Sequence, residues 1–225
     1  MFDITKSWDI FITKFDVFMQ GVQVTLLLAF YTMLLGFLVG LIVAVFRRTR
    51  IWLLRILMNI YVAFIRGTPL LVQVLLIVYG LPQLGVRLPR MTSCVLALTI
   101  NSGAYMAELI RAGLQSIDKG QVEAADSLGM NGWQKMINVI LPQAIKFTLP
   151  AMGNEFVAII KESSVLYSVG VYELTYQANK LASTNYRYIE TLLVSAMIYF
   201  VLTYVSTKLL NLLERRMRSG DNKMV

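Results

Sequence analysis

Histidine is absent from the 225 residues and cysteine occurs once, as Cys94. Without histidine, no Ser-His-Asp or Cys-His catalytic set can be assembled. A single cysteine among apolar neighbours excludes a disulfide framework and a Cys/His zinc site. Charge is also scarce. Only 15% of residues are Asp, Glu, Lys or Arg, against about a quarter in soluble domains. No low-complexity stretch, internal repeat or long linker interrupts the chain. What remains is 57% hydrophobic, more apolar surface than one small core can hold, so lipid is its natural solvent. The net charge of +8 would suit nucleic acid. On so apolar a chain, however, basic residues more often set membrane orientation, and no nucleic-acid partner is expected.

The apolar residues fall into long windows. Residues 17–46 carry no charge between Asp16 and Arg47, too long a run for a buried helix of a soluble protein. The pattern predicts an all-α membrane protein, a single domain over 1–225, with five spans at about 17–46, 53–80, 91–113, 137–166 and 189–213. The start of the chain lacks the basic opening and cleavage site of a signal peptide. Its aromatic and aliphatic residues around Asp3, Asp9 and Asp16 suit a short interfacial helix. Basic residues choose the direction. Thirteen lie on one side, in the turn after the first span (Arg47, Arg48, Arg50, Arg55), the loop before the fourth (Arg111, Lys119, Lys135, Lys146) and the C-terminal end (Lys208, Arg215, Arg216, Arg218, Lys223), against six on the other. This asymmetry puts the N-terminus outside and the C-terminus in the cytoplasm. Arg215, Arg216 and Arg218 would hold the last helix to anionic membrane lipid.

The longest cytoplasmic connection spans about 114–136. Asp118 is a helix-starting residue, the alanines after Glu123 favour a helix, and Gly129 is a natural left-handed stop. A second short helix, 132–139, leads to Leu141-Pro142. On physics alone this is equally a plain linker helix or a surface for a partner. Its residues, however, resemble a known element. Glu123-Ala124-Ala125, then Gly129, then Val139-Ile140-Leu141-Pro142 resemble the EAA loop of ABC-transporter membrane subunits, with Val139 where the pattern counts an isoleucine. The run from Arg66-Gly67-Thr68-Pro69 to Gln73, the run from Asn101-Ser102-Gly103-Ala104-Tyr105 to Glu108, Gly153-Asn154-Glu155-Phe156 and Lys161-Glu162-Ser163-Ser164 are similar to permeases for polar amino acids of the histidine, glutamine and arginine type. The resemblance covers residues 17–218.

The resemblance implies a type I ABC importer-like permease in the cytoplasmic membrane, working as a homo- or heterodimer by alternating access. It implies partner ATPase subunits and an external or periplasmic substrate-binding protein. The outer loops and the segment 172–188 are candidate contacts for that protein. Glu123 and Asp126 would make polar contacts with the ATPase, and Ala124, Ala125 and Gly129 would allow close approach. No phosphate loop Gly-x-x-x-x-Gly-Lys-[Ser/Thr] occurs in the chain, so nucleotide chemistry belongs to the partner. No cofactor, metal or catalytic residue is expected.

Ionisable groups at membrane depth usually face a bundle interior or a water path. Glu155 and Glu162, seven apart, return to one helix face, with Asn154, Ala158 and Lys161 beside it. A cation and anions side by side suit an amino-acid zwitterion. Asn101, Tyr105 and Glu108 share a face of the third span. Gly67 and Pro69 break the second near Arg66, Thr68 and Gln73, and broken helices expose groups that bind substrate. The candidate path is therefore Arg66, Thr68, Gln73, Asn101, Ser102, Tyr105, Asn154, Glu155, Lys161, Glu162 and Ser163. Each group has a plainer role open to it. Lys161 and Glu162 could form a structural ion pair, Arg66 could bond carbonyls of the broken turn, and Glu108 could pair with Arg111. Pro150 would kink the fourth span, and Tyr199 would serve helix packing. An ion-coupled secondary amino-acid carrier using the same Glu and Lys residues is the alternative function, and an accessory scaffold a third.

Overall fold

A computed structural model describes residues 4–219, with side chains for 5–215. The anchoring side chains expected at Arg216 and Arg218, and the side chains of Asp3 and Lys223, lie outside the described residues. Every regular element among the described residues is helical. In chain order these are α1 (Ile4–Thr13), α2 (Phe15–Phe46), α3 (Trp52–Gly67) and α4 (Leu70–Leu75), which passes through a π-helical turn (Leu76–Gly80) into α5 (Leu81–Gln83). Then come α6 (Arg90–Gln115), α7 (Lys119–Ser127) and α8 (Gly132–Lys135), the last joined by a second π-helical turn (Met136–Ile140) to α9 (Leu141–Glu162). A 3-10 segment (Ser163–Val169), α10 (Leu174–Asn185) and α11 (Tyr188–Ser219) complete the chain.

Three helices, α2, α6 and α11, are long and apolar enough to cross a membrane. α3 with α4–α5 makes a fourth if the pair, bent by 111°, is one span. α9 is long enough, but Lys146, Asn154, Glu155 and Lys161 lower its apolar character. Pro150 lies within it. α1 is short and amphipathic and packs on α11, as an interfacial helix would.

α6 is the central element. Its buried residues include Ser93, Cys94, Ala97, Ser102, Gly103, Ala104 and Ala107, all small, so neighbours come close. α2 lies along α6 with Gly36 and Gly40 at the crossing. A Cβ on Gly40 would sit 2.4 Å from Cβ of Met106, and one on Gly103 would sit 2.6 Å from Val39. Such close approach gains dispersion contact where lipid removes the hydrophobic drive between helices. Gly113 repeats the device against Thr148 of α9, and Gly153 against Leu210 of α11. The outer faces of α2 and α11 are aliphatic and aromatic and exposed, among them Phe30, Leu38, Ile42, Phe200 and Leu209. In lipid this is the inverse of a soluble surface and needs no partner.

Candidate functional site

The break between α3 and α4 follows from one missing hydrogen. Pro69 has no N–H, so the carbonyl of Ile65 loses its helical donor. Gln73 replaces it. Its Nε2 donates to Ile65 O at 2.8 Å, to Thr68 Oγ1 at 2.9 Å and to Thr68 O at 3.1 Å. Thr68 Oγ1 donates to Phe64 O at 2.8 Å. Asn101 of α6 donates from Nδ2 to Gln73 Oε1 at 2.9 Å. Thr68, Gln73 and Asn101, three of the expected path residues, thus meet, and they meet to satisfy one another. Gln73 and Asn101 are both buried. They stitch a 111° bend to the central helix, where unpaired carbonyls would be costly. Ser102 is buried nearby against Gly36, and its hydroxyl finds no partner among the described residues.

Arg66 turns away from this stitch, so the carbonyls of the broken turn are taken by Thr68 and Gln73. Its guanidinium lies over the Tyr105 ring, 5.4 Å from the centroid, and 4.0 Å from Glu108. Glu108 is a hub. It pairs with Arg111 at 2.6 Å, the expected i, i+3 contact, and with Arg47 at 2.7 Å. Arg47 Nε also donates to Asn59 Oδ1 at 2.7 Å. The Arg47 pair crosses from the end of α2 to α6, a juxtaposition that no local spacing in the chain predicts. A cavity of about 450 Å³ opens beside Arg47, Asn59, Arg66, Tyr105 and Glu108.

The polar residues of α9 form a third, separate place. Glu155 and Glu162 are half-buried, while Asn154 and Lys161 are exposed. Among the described residues no ion pair joins Lys161 to either glutamate, and Lys161 lies on the adjacent, exposed side of the helix. Asn154 opens instead onto a cleft of about 250 Å³ shared with Pro150, Asn211 and Glu214. Ser163 is buried and its hydroxyl donates to Ile160 O at 2.8 Å, which caps the end of α9.

Sequence reasoning missed Glu173. It is fully buried and precedes α10 as its N-cap, accepting from Thr175 N at 2.8 Å, Tyr176 N at 2.6 Å and Tyr199 Oη at 2.8 Å. Burial pushes its carboxyl above the usual range, and the Thr175 amide and the Tyr199 hydroxyl pull against that. Thr25 of α2 accepts from Leu174 N at 3.2 Å. The start of α10 is thereby tied to α2 and α11. A glutamate before a helix is a weak cap signal beside Ser, Thr, Asp or Asn, which is why it did not stand out.

The connection between α6 and α9 is built as a unit. Asp118 caps α7 by accepting from Gly120 N at 2.7 Å. Gly129 follows α7 with φ +73°, the left-handed stop expected of it, and Met130 N returns to Ala125 O at 3.1 Å. Asn131 starts α8 with a reciprocal capping box to Gln134. Lys135 pairs with Asp126 across the two short helices. Of the expected contact residues, Glu123, Ala124, Asp126 and Gly129 face outward, and Ala125 is buried in the chain's own packing. Leu128 and Trp133 stand 77% and 74% exposed beside them, an apolar knob on a polar loop that the sequence reading did not single out. Among the described residues no cluster of His, Cys, Asp and Glu could hold a metal ion.

A family model described as binding-protein-dependent transport system inner membrane component matches residues 18–219. The chain is 40% identical over 216 residues to "Probable amino-acid permease protein YxeN" of Bacillus subtilis (strain 168), covering 95% of this chain and 96% of that one. It is 34% identical over 214 residues to the glutamine transport system permease protein GlnP of Escherichia coli (strain K12), covering 94% and 98%. Among solved structures it is similar to a chain of an amino acid ABC transporter crystallised with histidines. That likeness has a TM-score of 0.90 and 45% identity, and covers 96% of this chain and 99% of the other.

Proposed function

This chain belongs to the family of binding-protein-dependent transport system inner membrane components, and from that premise we propose that it is the permease subunit of an ATP-driven importer for a polar amino acid. It is an integral protein of the cytoplasmic membrane. Its five spans are α2, the bent α3–α5, α6, α9 and α11, with the N-terminus outside and the C-terminus inside. A second permease subunit, a copy or a relative, covers the polar face of α9. That explains how Asn154, Glu155, Lys161 and Glu162 tolerate membrane depth, since such groups sit toward a path rather than lipid. Along the path the solute's carboxylate meets Lys161 and its ammonium meets Glu155 or Glu162. A substrate-binding protein delivers the solute from outside.

The observation that carries this reading is the construction of the α7–α8 connection. It is capped at both starts, stopped at Gly129 and clamped by Asp126–Lys135, with Glu123, Ala124, Leu128 and Trp133 turned outward. A rigid, outward-facing pair of short helices can transmit a displacement between two states, as a loose linker cannot. A separate ATPase grips it, and closure of two such ATPases drives alternating access. The test is ATP hydrolysis by the assembled complex. Trp133→Ala is expected to lower substrate-stimulated hydrolysis about ten-fold, a docking loss of about 1.4 kcal/mol. Membrane insertion should be unchanged, because the side chain is 74% exposed in the chain alone. Uptake that persists without nucleotide would instead support the ion-coupled carrier.

A further inference from the structure

We propose that the turn between α2 and α3 is a binding site for the phosphate headgroup of an anionic membrane lipid. A cavity of about 250 Å³ lies where the ends of α2 and α6 meet the middle of α3, lined by Arg47, Arg48, Asn59, Arg111 and Gln115. Three guanidinium groups and two amides face it, and no carboxylate among the described residues lines it. Glu108 behind it neutralises one charge for both Arg47 and Arg111, and Arg48 has no ion pair among the described residues. The site therefore carries excess positive charge.

The arginines are held in place. Arg47 is fixed by Asn59 and Glu108, and Arg111 by Glu108 and by Gln115 at 2.5 Å. Two of Arg47's five N–H donors are engaged, so others remain for a ligand. A planar, fixed guanidinium matches phosphate oxygens two at a time.

The surroundings select a lipid rather than a soluble anion. Phe46, Ile51 and Trp52, exposed at 40%, 57% and 63%, flank the turn, and Arg50 and Arg55 are exposed beside them. Tryptophan and arginine together at the end of an apolar helix mark a membrane–water boundary. The inner leaflet, where the proposed topology puts this turn, is the anionic one, and basic pockets between spans bind its headgroups. The inference rests on that topology, but its test needs neither ATP hydrolysis nor transport, so the two fail separately.

The experiment is native mass spectrometry of the transporter complex released from micelles holding equal phosphatidylglycerol and phosphatidylcholine. The wild type should retain phosphatidylglycerol preferentially. Arg48→Gln should lower that retention about five-fold, and Arg48→Gln with Arg111→Gln about thirty-fold, at the worth of one surface arginine each. Arg48→Lys should keep most of it. Arg48 stands outside the Glu108 network, so the single variant should fold, and its elution volume on size exclusion checks this. Equal retention of both lipids would overturn the proposal, as would retention unmoved by Arg48→Gln. Displacement by millimolar inorganic phosphate would assign the site to a soluble anion. Cross-linking of an Arg48→Cys variant to the ATPase would assign it to the motor.

Discussion

Pro69 removes the amide that Ile65's carbonyl would have accepted from, and Gln73 supplies another. Replacing Gln73 with leucine orphans that carbonyl and leaves the buried Asn101 amide unpaired. Each unsatisfied group costs about 1–3 kcal/mol. Gln73→Leu is therefore expected to lower the thermal unfolding temperature of the purified protein, and a smaller effect in an Asn101→Leu background would show the coupling. Glu173 makes a second prediction. Its carboxyl is raised by burial from an ordinary value of 4.5, so the folded chain holds this proton more tightly than the unfolded one. Stability from this group is then greatest at low pH and falls as pH rises from 4.5 through the raised value. Thr175 and Tyr176 donate to different oxygens of Glu173, so Glu173→Gln keeps an acceptor for one of the two amides and should flatten that dependence in unfolding measured against pH. Glu173→Ala removes the cap, leaves the Tyr199 hydroxyl only its Thr175 partner, and should cost about 1–2 kcal/mol.

At the scale of elements, two glycines have different reasons to be glycine. Gly40 lies at the α2–α6 crossing, where an added Cβ would meet Met106 at 2.4 Å. Gly40→Ala forces the helices apart and should destabilise by about 1–3 kcal/mol, seen in thermal unfolding. Gly129 has φ +73° and nothing within 4 Å of an added Cβ, so only its backbone conformation is at stake inside the chain. Gly129→Asn tolerates that conformation and should keep coupled ATP hydrolysis near normal, whereas Gly129→Val should weaken it. If Gly129→Asn abolishes coupling while the fold is intact, close approach of a partner at this position is the cause instead. The helical elements were largely legible. The uncharged window after Asp16 is α2, and Asp118 and Gly129 mark the ends of α7. The residues of the broken turn were found too, but the bonding among them was not legible. Polar residues in apolar windows announce that something must be satisfied, and only the geometry shows that Gln73, Thr68 and Asn101 satisfy each other.

For the molecule as a whole, composition already selected a helical membrane protein, because no soluble core accommodates so much apolar surface. Contacts between distant segments stayed hidden. Arg47 with Glu108, and Glu173 with Tyr199, join residues 61 and 26 positions apart, and periodicity carries no information at such range. The polar side of α9 around Glu155, Lys161 and Glu162 is the feature that the proposed second permease subunit would cover. The central claim is that the α7–α8 connection is an inward-facing handle for a separate motor. Placing one reactive thiol at Leu128 tests it most directly, since Leu128 is 77% exposed and the native Cys94 is buried. With Leu128→Cys in whole cells and in inside-out vesicles, an impermeant maleimide should label only the vesicles, and a short cross-linker should join the thiol to an ATPase subunit. Labelling from outside intact cells, with no ATPase adduct, would contradict the account.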